Sequence, residues 1–85
     1  MERSNASLTQ RMRSTNFIVE RANDRFAVHP ENSNDLTYRE TEGEGIEAAV
    51  RMLRNLGFSG EHMTERQTDG SVCVWLHNIH GQTTH

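Results

Sequence analysis

One segment of this sequence carries a complete helix signal, and it divides the chain into two halves. Thr41, followed three residues later by Glu44, matches a capping box that satisfies backbone N–H groups at a helix start. Gly57 suits the position just after a helix end, where a positive φ is needed. Gly43 and Gly45 weaken the first turn by about 0.8–1 kcal/mol each relative to Ala, so we expect the helix to begin near Gly45. Between these limits the apolar residues recur at the 3.6-residue spacing of one helix face: Ile46, Ala49, Val50, Leu53 and Leu56.

The half before the helix has the alternating pattern of a β-hairpin. Asn23 and Asp24 tolerate the backbone angles of a two-residue turn. With that loop, Phe17 lies opposite Pro30 across the strand pair. Side chains alternate with a period of two, so four apolar residues then share one face: Phe17, Val19, Phe26 and Val28. Residues 36–39 are read either as a short extra strand or as the approach to the helix.

The half after the helix predicts a second hairpin. Asp69-Gly70 is a strong signal for a two-residue turn. That loop puts His62 directly opposite His77. It also separates two sets of side chains: a core face with Met63, Val72, Val74 and Leu76, and a second face with His62, Thr64, Arg66, Cys73, Trp75 and His77.

Together these elements predict an α+β fold in the order ββ-α-ββ. We expect a small antiparallel sheet built from the two hairpins, with one helix packed on one face. Residues 1–14 are predicted to form a flexible N-terminal arm, residues 15–80 the single domain, and residues 81–85 a flexible tail. At 85 residues and 33% apolar content, the domain has room for only a thin core.

The second face of the sheet has no element left in the chain to cover it. An uncovered apolar face predicts self-association, and a homodimer is its simplest form. The residues expected at this interface are Trp75, Ile18, Cys73, His62 and His77.

Charge is unevenly distributed along the chain. Residues 1–30 carry five Arg against three acidic residues, residues 31–47 carry six acidic residues against one Arg, and the net charge is −3. An acidic balance disfavours generic nucleic-acid binding, which depends on neutralising phosphates. As an alternative, a nucleic-acid-binding protein would use the arm and the first hairpin through Arg3, Arg11, Arg13, Arg21 and Arg25.

The chemistry-bearing residues match no catalytic or metal pattern. His62 and His77 could share an ion in the predicted register, but Cys73 lies about 13 Å along the strand from His77. His80 adds no zinc-type spacing. Arg66, predicted opposite Cys73, could lower the pKa of the thiol, but the middle of a strand is a poor place for a nucleophile. We therefore expect no enzyme activity, no metal and no cofactor, and keep a small metal or enzymatic protein as a third hypothesis.

The acidic run "ETEGEGIE" does not fit a calcium-binding or a phosphate-binding loop. It lacks the alternating Asp or Asn ligands of an EF-hand, and its carboxylates would repel phosphate. A charged first helical turn accounts for it.

The remaining features bear on location and class. No stretch approaches the roughly 20 apolar residues of a membrane helix. The first 15 residues lack the apolar region of a secretory signal, and a lone cysteine suits a reducing compartment. The sequence predicts a cytoplasmic, non-enzymatic protein-interaction domain of the adaptor or inhibitor type. It would be homodimeric and bind a protein partner through its sheet face or its acidic segment.

Overall fold

A computed structural model describes residues 13–77, which form one helix and one five-stranded antiparallel sheet. The elements are β1 (Phe17–Ala22), β2 (Arg25–Pro30), β3 (Thr37–Arg39), α1 (Glu42–Asn55), β4 (Glu61–Arg66) and β5 (Val72–His77). The strand order is β3-β2-β1-β5-β4, so β3 and β4 are the edges. α1 packs across one face and connects the two edge strands. The predicted α+β class is confirmed, and the short strand near 36–39 forms as β3.

The first hairpin has the predicted register. Phe17 pairs with Pro30 and Ala22 pairs with Arg25. Asn23 adopts a φ of +62° in the turn, a conformation that Asn tolerates better than most residues. The apolar side of this hairpin faces α1, and it supplies Phe17, Val19 and Val28 to the buried core.

The helix is capped at both ends as its sequence indicates. Thr41 Oγ1 accepts a hydrogen bond from the Glu44 N–H at 3.1 Å, and the helix begins at Glu42. This start is three residues earlier than predicted, because the cap and the acidic first turn outweigh the weak helix propensity of the glycines. At the other end Gly57 has a φ of +102°, and the Phe58 N–H donates to the Leu53 carbonyl at 3.1 Å.

The buried face of α1 is rotated from the predicted stripe. Gly45, Ala49 and Leu53 are buried, whereas Leu56 is 64% exposed and was wrongly assigned to the stripe. The reason is close packing at Gly45, where an added Cβ would lie 2.8 Å from Cγ1 of Val19. Small residues therefore bring the helix down onto the centre of the sheet. Two larger residues of the stripe are left half-buried at its rim: Ile46 and Val50.

The second hairpin differs from its predicted register by one residue. The Gln67 N–H donates to the Ser71 carbonyl at 2.8 Å, so the loop has three residues and Gly70 takes a φ of +92°. Asp69 stabilises this longer loop, since its carboxylate accepts from the Ser71 N–H at 3.0 Å. Val72, Val74 and Leu76 remain in the core. Met63 was wrongly assigned to the core: it pairs with Trp75, away from the helix, and is 38% exposed.

The face of the sheet away from α1, called the far side below, carries Ile18, Cys73 and Trp75. Ile18 and Cys73 are only 8% and 4% exposed in the single chain. The guanidinium of Arg13 lies 4.0 Å from the centroid of the Trp75 ring, a cation–π contact. The far side is thus less open than the sequence predicted.

Ser14, the last residue of the predicted N-terminal arm (1–14), is buried beside β5. The Ser14 N–H donates to the Leu76 carbonyl at 2.9 Å, and Ser14 Oγ accepts from the Leu76 N–H at 2.7 Å. The backbone of Arg13 forms an isolated antiparallel β-bridge with His77. The rest of the predicted arm (1–12) and the predicted tail (81–85) lie outside the described residues.

Candidate functional site

Strand β4 is the most accessible regular element of the described chain. All six of its residues are exposed, although it pairs along its whole length with β5. α1 packs on the other four strands, so β4 extends past the edge of the helix. Within residues 13–77 no further strand pairs with its outer edge.

The backbone of β4 presents alternate hydrogen-bonding groups outward. In an antiparallel ladder, residues alternate between exchanging hydrogen bonds with the partner strand and turning these groups away from it. Gln67 is hydrogen-bonded to Ser71 at the end of the strand pair. Every second residue before it is therefore also hydrogen-bonded to β5: Glu65, Met63 and Glu61. Leu76 of β5 shows the same alternation. It lies opposite His62, but its backbone N–H and C=O point away from β4 and are hydrogen-bonded to Ser14. The residues whose N–H and C=O groups point to the free edge are His62, Thr64 and Arg66.

On the far side, β4 presents an acid–apolar–acid stripe. Glu61, Met63 and Glu65 lie two residues apart and pair with His77, Trp75 and Cys73 of β5. The outer edge of this stripe carries no cationic side chain from β4 itself. Its two carboxylates are therefore available to a cation that approaches along the edge.

On the helix side, a groove of about 480 Å³ runs between α1 and β4. The half-buried Ile46 and Val50 form its apolar part, and His62 of β4 closes it from below. Arg51 and Arg54 stand on the helix above it, and Arg54 donates to the Gly60 carbonyl at 3.2 Å. The groove exists because α1 sits over the sheet centre and leaves β4 uncovered.

A two-point ion pair anchors one end of β4. Arg66 donates to both carboxylate oxygens of Glu42, at 2.7 and 3.0 Å. The hydrogen bond from Arg66, reinforced by its charge, lowers the pKa of Glu42. The pair borders a second cavity, of about 410 Å³, whose lining also includes Asp69 and Ser71. The Ser71 hydroxyl donates a hydrogen bond to the Asp69 carboxylate at 2.7 Å, and this hydrogen bond lowers the pKa of Asp69.

The predicted His62–His77 pair is wrong. His62 pairs with Leu76 on the helix side, whereas His77 lies on the far side opposite Glu61. The one-residue shift in the loop causes this separation, since it exchanges the faces of β4. No group of three or more His, Cys, Asp or Glu side chains in residues 13–77 is placed to hold a metal ion, and His80 lies outside this part of the chain.

Cys73 is a buried free cysteine, and the residue opposite it on β4 is acidic rather than cationic. The residue opposite it is Glu65, not Arg66 as predicted. Burial raises the pKa of the Cys73 thiol, and the negative charge of Glu31 adds to this effect, while Arg13 acts against it. A protonated, buried thiol is a poor nucleophile.

The described arginines of the nucleic-acid alternative do not share one face. Arg13 covers Trp75 on the far side, while Arg21 lies on the helix side with its guanidinium 5.9 Å from the Phe26 ring centroid. Arg25 lies on the far side, at the β1–β2 turn and thus at the opposite end of the sheet from Arg13. Arg3 and Arg11 lie outside the described residues.

His29 is the centre of a hydrogen-bonded polar cluster that the sequence pattern does not predict. Its Nδ1 lies 2.7 Å from the Pro30 carbonyl and 3.0 Å from the Ser33 carbonyl. Its Nε2 lies 3.1 Å from a carboxylate oxygen of Glu20. The ring therefore ties the loop after β2 to β1, which is a structural role. The Pro30 and Ser33 carbonyls lie close to His29 in the sequence, but Glu20 joins them only through the pairing of β1 with β2.

Comparison with known proteins adds no relative: no family model, no curated protein and no solved structure matches this chain. Within the described residues, no helix has both the length and the apolar character needed to span a membrane.

Proposed function

We propose that this chain is a non-enzymatic protein-interaction domain, of the adaptor or inhibitor type, that binds an extended segment of another protein along β4. The observation that carries the proposal is the free edge, at which His62, Thr64 and Arg66 present their backbone groups. Strand addition uses such groups for affinity and the alternating side chains for specificity.

The free edge is held in place before any partner arrives. β4 pairs over six residues with β5, whose apolar residues belong to the core. The Arg66–Glu42 pair fixes its end to the first turn of α1. A preorganised edge reduces the entropy lost on binding, because only the incoming segment becomes ordered.

The groove between α1 and β4 gives the incoming segment a second point of contact. Alternate side chains of an added strand point to the helix side. There Ile46 and Val50 offer partly exposed apolar surface. An apolar side chain from the partner would bury this surface.

The acidic segment is a weaker candidate surface than β4. Two of its carboxylates are already engaged: Glu31 accepts from Asn16 at 2.9 Å, and Glu42 binds Arg66. We propose a cytoplasmic location on the sequence evidence that a lone cysteine suits a reducing compartment.

The homodimer stays a separate proposal, on the far side rather than at the edge. Since Ile18 and Cys73 are buried in one chain, Trp75 and Met63 are the apolar residues that a second copy would cover. Light scattering tests it. Twice the monomer mass of 9.7 kDa for the wild type, with a folded monomer for Trp75→Glu, supports the dimer. A monomeric wild type contradicts it.

The edge proposal is tested with random nonapeptides displayed on phage and selected on the wild-type protein. Selected peptides are then measured against Thr64→Pro and Thr64→Val. Proline removes the outward N–H of Thr64 but leaves the β4–β5 ladder intact, since edge strands tolerate proline with this orientation. Valine keeps the N–H and the strand preference, so it is the matched control. We expect binding to survive Thr64→Val and to be lost in Thr64→Pro.

A second measurement does not depend on the folding of a variant. Each selected peptide is synthesised with single N-methyl groups at successive positions. Strand addition requires that N-methylation at alternate positions abolish binding and that the positions between tolerate it. Peptides insensitive to both Thr64→Pro and N-methylation would overturn the proposed function.

A further inference from the structure

We infer that the partner segment carries a cation–x–apolar–x–cation pattern on the side chains that face the far side of the sheet. This inference rests on the proposed function, and it names the chemistry of the segment that β4 accepts. The x positions face the helix side.

The far-side stripe of β4 sets this pattern. In a strand pair, side chains directly opposite each other share one face and interact, and opposite charges stabilise the pair. Glu61 and Glu65 flank Met63 at intervals of two residues. An antiparallel partner in register therefore places a Lys or Arg against each glutamate and an apolar side chain against Met63. The two cations stand four residues apart, about 13 Å along the strand.

The local surroundings leave these carboxylates free for the partner. All of β4 is exposed, and neither Glu61 nor Glu65 forms an ion pair or side-chain hydrogen bond with another residue of 13–77. Arg66, the one arginine of β4, points to the helix side and is bound to Glu42. Within residues 13–77 these two exposed carboxylates therefore have no ion-pair partner, although His77 lies opposite Glu61 and Arg13 stacks on the neighbouring Trp75.

A second copy of this chain does not satisfy the pattern. Two identical edge strands pair antiparallel about an axis perpendicular to the sheet, so far-side residues meet only far-side residues. In β4 these are Glu61, Met63 and Glu65, and Gln67 follows at the strand end. Because none is cationic, every symmetric register leaves the glutamates without a cation. In the register centred on Met63, Glu61 faces Glu65 of the other copy twice. The edge thus disfavours self-pairing and favours a different, basic partner.

The test uses the same phage-displayed nonapeptides, now selected in parallel on wild type and on Glu61→Lys/Glu65→Lys. Asp35→Lys/Glu40→Lys is the control, because both residues are exposed, the change in net charge is equal, and they flank β3 at the opposite edge of the sheet. We expect wild type and control to enrich Lys or Arg at two positions four apart, and Glu61→Lys/Glu65→Lys to enrich Asp or Glu there. A peptide selected on wild type should bind Glu61→Lys/Glu65→Lys at least roughly 2- to 30-fold more weakly, the range for the loss of two exposed ion pairs, since the new lysines also repel the peptide's cations.

The outcomes separate this inference from the proposed function. Selected peptides that require the Thr64 N–H but show no charge preference would overturn the basic pattern. Equal binding to wild type and to Glu61→Lys/Glu65→Lys would also overturn it. Neither result would contradict strand addition. Peptides that ignore Thr64→Pro and N-methylation overturn strand addition itself. Circular dichroism and melting of each variant establish that it is folded before it is compared.

Discussion

Arg66 on the edge strand and Glu42 in the first helical turn meet through two parallel hydrogen bonds of 2.7 and 3.0 Å. The pair is separated by 24 residues along the chain and joins two elements that otherwise have little contact. The carboxylate also lies at the helix N-terminus, where negative charge is favoured. This link ties the end of β4 to the first turn of α1, in addition to the pairing of β4 with β5.

Acid should destabilise the protein through Glu42 and Asp69. The pKa of each carboxyl is lower in the folded state, through Arg66 for Glu42 and through Ser71 for Asp69. A lowered folded pKa gives stability that is present above the unfolded pKa, about 3.9–4.3, and is lost as pH falls through the folded pKa. We expect the Tm to drop below about pH 4 and the drop to be smaller in Glu42→Gln/Asp69→Asn. If the Tm of this double variant fell with decreasing pH as steeply as that of wild type, neither carboxyl would contribute to the acid sensitivity.

The two glycines of the first helical turns should respond in opposite ways to alanine. Gly45→Ala forces a Cβ to 2.8 Å from Val19 Cγ1, so we expect a loss of about 1–3 kcal/mol from overpacking, only partly offset by helix propensity. Gly43→Ala meets no atom within 4 Å and should stabilise by about 0.4–1 kcal/mol. Urea unfolding of both variants checks the prediction. Equal effects would mean that α1 does not sit this close to the sheet.

Two leucines three residues apart should differ sharply on truncation. Leu53 is 0% exposed, and Leu53→Ala should cost about 2–5 kcal/mol of unfolding free energy. Leu56 is largely exposed, and Leu56→Ala should stay within about 0.5 kcal/mol of wild type. Thermal or urea unfolding of both measures this difference. Comparable losses would restore Leu56 to the core stripe.

Cys73 should react slowly with thiol reagents in the native protein. Burial keeps the thiol protonated at neutral pH, and only the thiolate attacks a disulfide reagent. We expect colour development with Ellman's reagent at pH 7.5 to be slow in buffer and fast in guanidinium chloride. Fast labelling of the native state, at the rate seen in denaturant, would mean that the far side opens readily at Cys73.

Local signals in the sequence are sufficient to predict most of the fold. The Asn23-Asp24 turn and the alternation around it define the first hairpin, and its register is confirmed residue by residue. The capping box at Thr41 and the stop at Gly57 define the helix ends more reliably than the weak propensity of Gly43 and Gly45. These signals work because each depends on residues close together in the chain.

The candidate site could not be predicted in the same way, because the faces of β4 depend on whether the β4–β5 loop has two or three residues. Asp69-Gly70 fits a two-residue turn, but Asp69 also caps the longer loop by accepting from the Ser71 N–H. That shift exchanges the faces of β4, moving Met63 to the far side and His62 to the groove. A three-residue loop with Gly at its last position was the available signal. The edge position of β4 follows from strand order, which pairwise patterns do not encode.

Amide hydrogen exchange, followed residue by residue by NMR, tests strand addition at β4 most directly. In the free protein the amides of Met63 and Glu65 should be protected by β5, while those of His62, Thr64 and Arg66 exchange at rates near those of an unstructured chain. Adding a phage-selected peptide should protect His62, Thr64 and Arg66 and leave the other two as they were. Protection of Thr64 in the free protein, or no gain in protection at these three amides when the peptide is bound, would contradict strand addition at β4.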